Sequence, residues 1–473
     1  MILTDTIVAI ATPPGSGGVG IVRLSGSASL AILQRLTAGD DGRLPAYTAR
    51  YLRHGWVYAV HEDGTREKLD EILAVYMPGP ASFTGEDVAE LHCHGGQAVL
   101  MAVVTSACRL GARLAERGEF TYRAFVNGKY DLTQAEAVAE MIAAPSRQGL
   151  RLAQAKLSGL LGSRVNELRE IVETLRAKAF LAIDFPEDEA EAVDAASFAV
   201  DLEAVKHGIE ELLASYKRAR HWREGVSVIL AGRVNVGKSS LLNALLGKTR
   251  SIVSATPGTT RDFIEESLDL DGLAVRIADT AGLRASADPV EMEGVARAMD
   301  LAKDAALVLL VTDVSRALTD DERAFLTANA GRIFVVRNKL DLLNEAGRES
   351  ALAEREYEGV PASAVSAKTG EGLEELAVAI RRAALDASGV VVTGGVEDEP
   401  EQGDIVPNVR QSGLLSDALA EIDALLCDVA AGVPADLFSV RLDAAAMYLG
   451  EITGFAATDD ILGRVFSSFC IGK

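Results

Sequence analysis

The sequence has few cysteines and no long apolar run. Its four cysteines, Cys93, Cys108, Cys427 and Cys470, are far apart in 473 residues and form no C-x-x-C pair. This usage argues against a disulfide framework or a zinc site and indicates a reducing cytosol. No apolar stretch approaches the ~20 residues that span a bilayer, so we expect no contact with a membrane.

Positive charge is also scarce. Lys and Arg number 47 against 69 Asp and Glu, which gives a net charge of -22. Because phosphate binding needs a basic surface, any contact with RNA must come from a local patch. The first residues, MILTDTIVAIATPPG, contain an acidic residue and no Lys or Arg, unlike a signal or transit peptide. We therefore expect a cytoplasmic globular protein of two to four domains.

Strand and helix patterns divide the chain into four stretches. Residues 1–120 mix strand-like runs such as TIVAIA with turns, and residues 121–224 carry apolar residues spaced three and four apart, as on one helix face. From 225 to 384, apolar strands such as VSVIL and RIFVVRN alternate with helices, which predicts a parallel, doubly wound sheet. Residues 385–473 begin near GGVEDEPEQGD, which predicts a mobile loop, and then return to helical spacing.

Helical stripes on both sides of the α/β stretch need a common partner that buries them. One discontinuous helical domain with the α/β domain inserted into it is the economical arrangement. The stripes are Leu161, Val165, Leu168, Val172 and Leu175; Leu202, Val205, Ile209, Leu212 and Tyr216; and Leu415, Leu419, Ile422, Leu426 and Val429.

The α/β stretch carries two phosphate and magnesium motifs. GRVNVGKS (232–239) stands between a strand and a helix, so its amides can cradle phosphates, with Lys238 on the β/γ oxygens and Ser239 on Mg²⁺. DTAG (279–282) also follows a strand and can place Asp279 near Mg²⁺ through water.

Two further motifs select the base. The Asp341 carboxylate of NKLD (338–341) can accept hydrogen bonds from guanine's N1–H and 2-amino group, which adenine lacks. SAK (366–368) completes the base pocket. Four motifs in this order, on the expected elements, indicate a GTPase domain.

Two features differ from signalling GTPases. The residue after DTAG is Leu283, where Ras-type proteins have the Gln that orients the attacking water. Glu291, with Glu293 behind it, is the nearest acidic replacement, although a solvated charge on a helix explains it equally well. Asn235 in the phosphate loop can ligate a monovalent cation, but capping of the loop is the simpler explanation from this residue alone.

Two N-terminal motifs resemble other kinds of ligand site. GSGGVG (15–20) matches G-x-G-x-x-G but runs into the strand-like IVRLSG, so we reject a dinucleotide site. His92, Cys93 and His94 in LHCHGG lack further ligands at suitable spacing, so a turn leading into a helix at 97 is expected rather than a metal site.

The last residues, FSSFCIGK, have the outline of a C-a-a-X prenylation box, which suggests a lipid-anchored signalling GTPase. A long helical stretch separates this box from the α/β stretch, however, and the X position is Lys473, outside the usual residues. The alternatives are a reactive thiol at Cys470, or a cysteine that packs as a small hydrophobe beside Phe469.

Together the motifs resemble those of the MnmE (TrmE) family of tRNA-modifying GTPases. The resemblance covers the whole chain and includes TPGTTRD (256–262), SFTGEDVAELHCHGG, GEFTYRAFVNGKYDLTQAEAV and LGRVFSSFCIGK. It implies a multidomain α+β fold. Its parts are an N-terminal α/β folate-binding and dimerisation domain (1–120), a discontinuous helical domain (121–224 and 385–473) and an inserted doubly wound P-loop GTPase domain (225–384).

The resemblance also implies a function. It is that of a homodimeric GTP hydrolase, activated by potassium, that works with the flavin-dependent partner MnmG in a heterotetramer, with FAD on the partner. The two proteins add an aminomethyl or carboxymethylaminomethyl group to carbon 5 of the wobble uridine of certain tRNAs, using a tetrahydrofolate derivative as carbon donor. A ribosome-assembly GTPase is the alternative, but it would carry a basic RNA-binding appendage.

Residue roles follow from the resemblance. Glu291, which orients water, and Cys470 are the expected catalytic residues. The expected potassium ligands are Asn235, Ser254, Thr256 and Thr259, and the expected Mg²⁺ ligands are Ser239 and Thr260. The expected folate residues are Arg23, Glu90, Lys129 and Lys473. The expected GTP-binding residues are Asn235, Val236, Gly237, Lys238, Ser239, Ser240, Ser254, Ala255, Thr256, Pro257, Gly258, Thr259, Thr260, Asp279, Thr280, Ala281, Gly282, Asn338, Lys339, Asp341, Ser366, Ala367 and Lys368.

Two residues depart from the family pattern. Val234 stands where the phosphate loop commonly has proline, and Pro257 interrupts the cation loop where a small residue is usual. Both can alter loop stiffness and potassium affinity, but neither removes a ligand.

Overall fold

The computed structural model describes residues 5–61, 63–184, 195–248, 265–279, 305–388, 403–434 and 437–472. The chain forms two compact units. The first unit comprises Met1–Ala139, Leu157–Gly208 and Gly413–Lys473, and the second unit comprises Glu140–Lys156 and Ile209–Ser412.

The described strands are β1 (Ile7–Ile10), β2 (Gly17–Ser25), β3 (Arg53–Val60), β4 (Arg66–Met77), β5 (Val88–Gly95), β6 (Arg113–Leu114), β7 (Val226–Ala231), β8 (Glu265–Leu270), β9 (Leu273–Asp279), β10 (Leu307–Asp313), β11 (Ile333–Asn338), β12 (Glu356–Tyr357) and β13 (Val360–Ala364). The described helices are α1 (Ser29–Leu36), α2 (Gln97–Arg109), α3 (Glu119–Val126), α4 (Leu132–Ala143), α5 (Arg147–Leu157), α6 (Leu160–Asp184), α7 (Ala195–Glu224), α8 (Lys238–Lys248), α9 (Asp320–Ala328), α10 (Glu345–Ala353), α11 (Leu373–Ala387), α12 (Val409–Ala430), α13 (Phe438–Thr453) and α14 (Asp459–Ser467). None of the helices in these ranges is both long and apolar enough to cross a membrane.

The sheet of the first unit has the spatial order β3-β4-β5-β2-β1-β6. Its pairings are antiparallel apart from β1 with β6. Helices α1 and α2 pack on it through apolar residues such as Leu33 and Val103. The expected α/β N-terminal domain is therefore an α+β layer, because β3, β4 and β5 follow one another through turns and loops rather than crossover helices.

The glycine-rich motif near the N-terminus lies in a strand, as expected. Residues 17–20 belong to β2, which pairs with β5 and opens into no helix. A dinucleotide-binding turn needs a helix N-terminus at this point. The strand predicted after this motif is confirmed.

Helix α6 buries the predicted stripe on one face. Leu161, Val165, Leu168, Val172 and Leu175 are each at most 2% exposed. Alternately four and three residues apart, they follow the 3.6-residue period of a helix, so every member faces the same way. The prediction for α6 is confirmed.

The stripe of α12 differs from the prediction. Leu415 and Ile422 are buried as expected, but Ala418 and Leu425 complete the buried face. The other predicted members are only half-buried: Leu419, Leu426 and Val429. A leucine next to the true stripe satisfies the same spacing, so spacing alone cannot choose between neighbouring faces.

The sheet of the second unit has the order β12-β13-β11-β10-β7-β9-β8. Strands β13, β11, β10, β7 and β9 are parallel, and the edge strands β12 and β8 are antiparallel to their neighbours. Apolar clusters lie on both faces of this sheet. The predicted doubly wound parallel sheet is present.

The core of this unit extends beyond residues 225–384. Leu152 of α5, Trp222 of α7 and Val406 are buried in the same cluster as the sheet residues. Most of the predicted mobile loop, GGVEDEPEQGD, lies outside the described residues.

Candidate nucleotide and folate sites

The phosphate loop joins the end of β7 to the start of α8, as its motif predicts. Within it, Asn235 has a φ of 65° and Gly237 a φ of 97°. A Cβ at Gly237 would lie 2.4 Å from Nδ2 of Asn338, so only glycine fits this close approach. Loops of this kind turn successive backbone amides towards one point and bind anions there. The conformation therefore suits a phosphate ligand.

The first turn of α8 supplies the predicted charge and hydroxyl groups. The buried ammonium of Lys238 donates to the carbonyl oxygens of Gly232 (2.7 Å) and Arg233 (2.9 Å). Phosphate oxygens are stronger acceptors than these carbonyl groups. Ser239 and Ser240 follow and are exposed. The Ser239 hydroxyl is the kind of oxygen ligand that Mg²⁺ prefers.

The base motifs are bonded to one another and to the phosphate loop. The Asn338 amide donates through Nδ2 to the carbonyl oxygen of Val236 at 2.8 Å, and its Oδ1 accepts from the amide of Ala367 at 3.0 Å. The Ser366 hydroxyl donates to Oδ1 of Asp341 at 2.7 Å. NKLD, SAK and the phosphate loop therefore form one connected frame, in which Asp341 is held in place by a neighbour's hydroxyl.

An aspartate that no motif singled out supports this frame. The Lys339 ammonium donates to Oδ2 of Asp313 at 2.9 Å, and Ser315 donates to Oδ1 through its amide (3.0 Å) and hydroxyl (2.6 Å). Burial alone would raise the pKa of Asp313, but the hydrogen bonds from Ser315 and Lys339 lower it from 3.8 to about 2. The only sequence signal is the acidic residue that ends ALVLLVTD, and the register of β10 with β11 places it opposite Asn338.

The C-terminal tail is bound within the first unit. Ile471 forms an antiparallel bridge with Arg117. Gly472 is buried with a φ of 90°, and a Cβ there would lie 2.3 Å from the carbonyl oxygen of Ile10. Only glycine can take this backbone conformation so close to β1. The tail is therefore held in a fixed position beside the N-terminal sheet.

Cys470 is exposed on this bound tail. Its neighbour Phe469 is buried and stacks near Phe466, with ring centroids 5.3 Å apart. The backbone of Cys470 is tied down, since its carbonyl oxygen accepts from the amide of Gly118 at 3.4 Å. The alternative that Cys470 packs as a small hydrophobe beside Phe469 does not fit this exposure, because a packed side chain would be buried.

Arg23, Glu90 and the tail come together. Nε of Arg23 donates to Oε1 of Glu90 at 2.8 Å, and Nη1 donates to the carbonyl oxygen of Gly472 at 3.4 Å. The guanidinium carbon lies 5.4 Å from the ring centroid of Phe83 and 5.9 Å from that of Phe120. A pterin's amino edge requires a carboxylate, and glutamyl carboxylates require cations. The donor set and the aromatic surface fit a folate.

Lys129 contacts the loop that carries Phe83. Its ammonium donates to the carbonyl oxygen of Ser82, and the ring of Tyr130 next to it lies 6.4 Å from that of Phe83, edge to face. Three of the four predicted folate residues are thus in one region. The fourth, Lys473, lies outside the described residues.

LHCHGG lies in β5 rather than in a turn, although α2 begins at 97 as expected. His92 contacts Glu90 at 3.2 Å, and His94 contacts Asp70 at 2.6 Å. Cys93 alternates to the core face, where burial raises its pKa to about 12. In the part of the chain that the structure describes, no group of three or more His, Cys, Asp or Glu side chains could hold a metal ion.

Family models match both the N-terminal part of the chain and the remainder. The family model described as "MnmE helical domain" matches residues 132–470, and the model described as "GTP-binding protein TrmE N-terminus" matches residues 6–129. The tRNA modification GTPase MnmE of Nitratidesulfovibrio vulgaris (strain DP4) is 52% identical over 470 residues, 99% of each chain. The chain belongs to the MnmE family.

Other MnmE relatives agree over their full length. The tRNA modification GTPases MnmE of Lawsonia intracellularis and Moorella thermoacetica are each 43% identical, over 100% of both chains. Among solved structures, the G domain of the T. maritima FeoB iron transporter is 28% identical over 34% of this chain and 98% of that chain, with a TM-score of 0.23. A score this low supports no conclusion about the fold.

Membership of the MnmE family decides between the alternatives. It argues against a ribosome-assembly GTPase and against a prenylated signalling GTPase. The bound tail agrees, because C-a-a-X processing removes the last three residues and with them the buried Gly472.

Several residues with MnmE-derived roles lie outside the described residues. Of the potassium ligands only Asn235 is described, and of the Mg²⁺ ligands only Ser239. Asp279 ends β9, but its side chain is not described. The other predicted site residues outside the described ranges are Ser254, Ala255, Thr256, Pro257, Gly258, Thr259, Thr260, Thr280, Ala281, Gly282, Glu291 and Lys473.

Proposed function

We propose that the protein is a potassium-activated GTPase that adds an aminomethyl or carboxymethylaminomethyl group to carbon 5 of the wobble uridine in certain tRNAs. Membership of the MnmE family makes it a GTP hydrolase that acts in tRNA modification. The proposal adds the ion, the position on the base and the carbon donor. The observation that supports it is that Arg23 donates hydrogen bonds both to Glu90 and to the carbonyl oxygen of Gly472, in the tail that bears Cys470.

GTP binds across the phosphate loop and the base motifs. The Lys238 ammonium exchanges its two carbonyl acceptors for β- and γ-phosphate oxygens, which are charged and therefore bind it more strongly. Guanine is selected by the Asp341 carboxylate, which Ser366 holds through one oxygen. In support, the Asn338 amide fixes the distance between the phosphate and base parts through its bond to Val236.

Two ions assist hydrolysis. Asn235, with Ser254, Thr256 and Thr259, binds potassium beside the phosphates, where the ion supplies the positive charge that an arginine finger brings in other GTPases. Ser239 and Thr260 bind Mg²⁺. Glu291 orients the attacking water in place of the missing Gln.

The first unit holds the modification chemistry. A tetrahydrofolate derivative supplies the carbon, and Arg23, Glu90, Lys129 and Lys473 hold it through its carboxylates and amino edge. Cys470 presents a thiol from a backbone that is fixed on both sides. A cysteine acts as a nucleophile through its thiolate.

Partners complete the system. The protein acts as a homodimer with the flavin-dependent MnmG, which carries FAD. Because the net charge of -22 repels phosphates, tRNA binds through a local basic patch. We assign residues 1–120 to folate binding and dimerisation, 121–224 and 385–473 to the helical domain, and 225–384 to the GTPase domain.

Nucleoside analysis of tRNA tests the proposal. In a strain that lacks the gene, the C5-modified wobble uridine should disappear and should return with the wild-type gene. Cys470→Ser should leave GTP binding and potassium-stimulated hydrolysis intact but should not restore the nucleoside. Ser468→Ala, an exposed position two residues away, is the matched control and should restore it. Normal nucleoside levels with Cys470→Ser would show that the thiol has no part in the chemistry.

A further inference from the structure

A fully buried arginine lies behind the proposed folate site. The Arg123 side chain is 0% exposed. Its Nη1 donates to both carboxylate oxygens of Glu86 (3.1 and 3.3 Å) and to the carbonyl oxygen of Asp5 (2.8 Å). Its Nη2 donates to Oδ1 of Asp5 (2.6 Å) and to Oε1 of Glu119 (3.0 Å). One guanidinium thus joins three acidic residues from three segments of the first unit.

Glu86 links the Arg123 guanidinium to the loop of residues 82–86. The Ser25 hydroxyl donates to Oε2 of Glu86 at 2.7 Å and lies 2.7 Å from the hydroxyl of Thr84. The Ser82 hydroxyl donates to the backbone carbonyl of Glu86. The 82–86 loop is therefore closed on itself and attached to β2 through Ser25.

The same loop carries the groups that contact two predicted folate residues. The ring of Phe83 lies under the Arg23 guanidinium, and the carbonyl oxygen of Ser82 accepts from Lys129. Asn127 adds a bond from its side-chain amide to the carbonyl oxygen of Thr84 at 2.8 Å. A shift of this loop would displace Arg23 and Lys129.

We propose that Arg123 is a positioning residue for the folate: through Glu86 it fixes the 82–86 loop and so the places of Arg23 and Lys129. The inference rests on the proposed folate site. A buried guanidinium stays buried only while its acidic partners surround it, so the network admits one arrangement of these segments. Apolar packing would leave the loop free to slide.

Two of the acidic partners, Asp5 and Glu119, have lowered pKa values. The hydrogen bond from Arg113, and next to it that from Arg123, lowers the pKa of Asp5 below its usual value against the effect of burial. Burial alone would raise the pKa of Glu119, but bonds from Arg113, the Glu116 amide and Arg123 lower it. Asp5 and Glu119 therefore face the Arg123 guanidinium as carboxylates at neutral pH.

Arg113 offers a matched control. It donates to the same Asp5 (2.6 Å) and the same Glu119 (2.7 Å). Within the described residues it has no hydrogen bond to the 82–86 loop. Arg113→Lys therefore perturbs the network without touching the loop.

The experiment uses the full chain and tetrahydrofolate. Glu86→Gln keeps the shape of the side chain and removes its charge, and Arg123→Lys keeps the charge and removes the fork that reaches three carboxylates at once. Titration calorimetry should give roughly tenfold weaker tetrahydrofolate binding for each, as expected when charged hydrogen bonds are lost. Potassium-stimulated GTP hydrolysis should stay at the wild-type rate, and Arg113→Lys should bind as the wild type does.

In tRNA modification assays with saturating MnmG, KM for the folate should rise about tenfold with Glu86→Gln, with kcat kept at saturation. A protein that had merely lost structure would show a lower kcat and a lower GTPase rate. Glu90→Gln tests the site itself. If Glu90→Gln weakens binding but Glu86→Gln does not, the positioning role is overturned. If Glu90→Gln binds as the wild type does, the folate site is wrong and the inference fails with it.

Discussion

Replacing Gly472 by alanine should release the C-terminal tail. The residue has a φ of 90°, in the region that L-residues avoid. An alanine Cβ would lie 2.3 Å from the carbonyl oxygen of Ile10 and 2.9 Å from the Cα of Ala11, whereas real Cβ atoms keep at least 3.0 Å from other heavy atoms. Both obstacles are backbone atoms and cannot turn away as a side chain would. The tail must therefore move or strain.

The size of the effect follows from the backbone alone. A non-glycine residue in a left-handed conformation costs about 1–2 kcal/mol. At 1.4 kcal/mol for each factor of ten, this raises the undocked population of the tail about 5- to 30-fold. The contact with Ile10 adds to that strain, so the range is a lower bound.

Amide hydrogen exchange measures the undocked population directly. Peptides that cover residues 466–473 should exchange about 5- to 30-fold faster in Gly472→Ala, since exchange follows local opening. Gly463→Ala is the matched control, because Gly463 is exposed in α14 and an added Cβ meets nothing within 4 Å. It should slow exchange or leave it unchanged. Equal exchange rates in the two variants would refute the steric argument and with it the fixed position of the tail.

Three further predictions concern the nucleotide site. Asp341→Asn should shift preference from GTP towards xanthosine triphosphate, because the amide turns one acceptor into a donor; unchanged selectivity in a competition assay would contradict this. Hydrolysis should be much faster in potassium than in sodium, and Asn235→Ala should remove the difference, while Glu291→Ala should bind GTP normally yet hydrolyse it poorly; equal rates in both salts would exclude the cation. Asp313→Asn should destabilise the second unit by about 2 kcal/mol in urea unfolding at pH 7, since a pKa lowered from 3.8 to about 2 corresponds to roughly that energy. Because the lowered pKa of Asp313 stabilises the fold only where the unfolded carboxyl is ionised, the difference should hold down to about pH 5 and shrink as the pH falls from about 4 towards 2; a difference of constant size down to pH 2 would show another cause.

Periodicity and motif order predicted the strands, the long helices and the two ends of the nucleotide site. These features are local, since a strand, a turn and a helix N-terminus are specified by neighbouring residues. The register between strands is not local. Asp313 became part of the base frame only through the pairing of β10 with β11, which sets it opposite Asn338. A single acidic residue at the end of an apolar run carries no such information.

The folate region shows the same limit. The predicted residues came from a family resemblance, and the structure adds what holds them. Arg123 and Glu86 lie in segments far apart in sequence, and neither forms a recognisable motif by itself. Buried ion pairs form between whichever segments the fold brings together, so a single sequence cannot reveal them.

The core of the second unit has a consequence for anyone who wishes to excise the GTPase part. A piece cut at 225 and 384 would lack Leu152, Trp222 and Val406, which all belong to its apolar cluster. Burial of a tryptophan alone covers about 150–250 Å², or roughly 4–6 kcal/mol at about 25 cal/mol per Å². Such a piece would expose apolar surface of the sheet to solvent and tend to aggregate. A soluble minimal fragment has to start near 209, reach about 412 and carry the 140–156 segment as a tethered peptide.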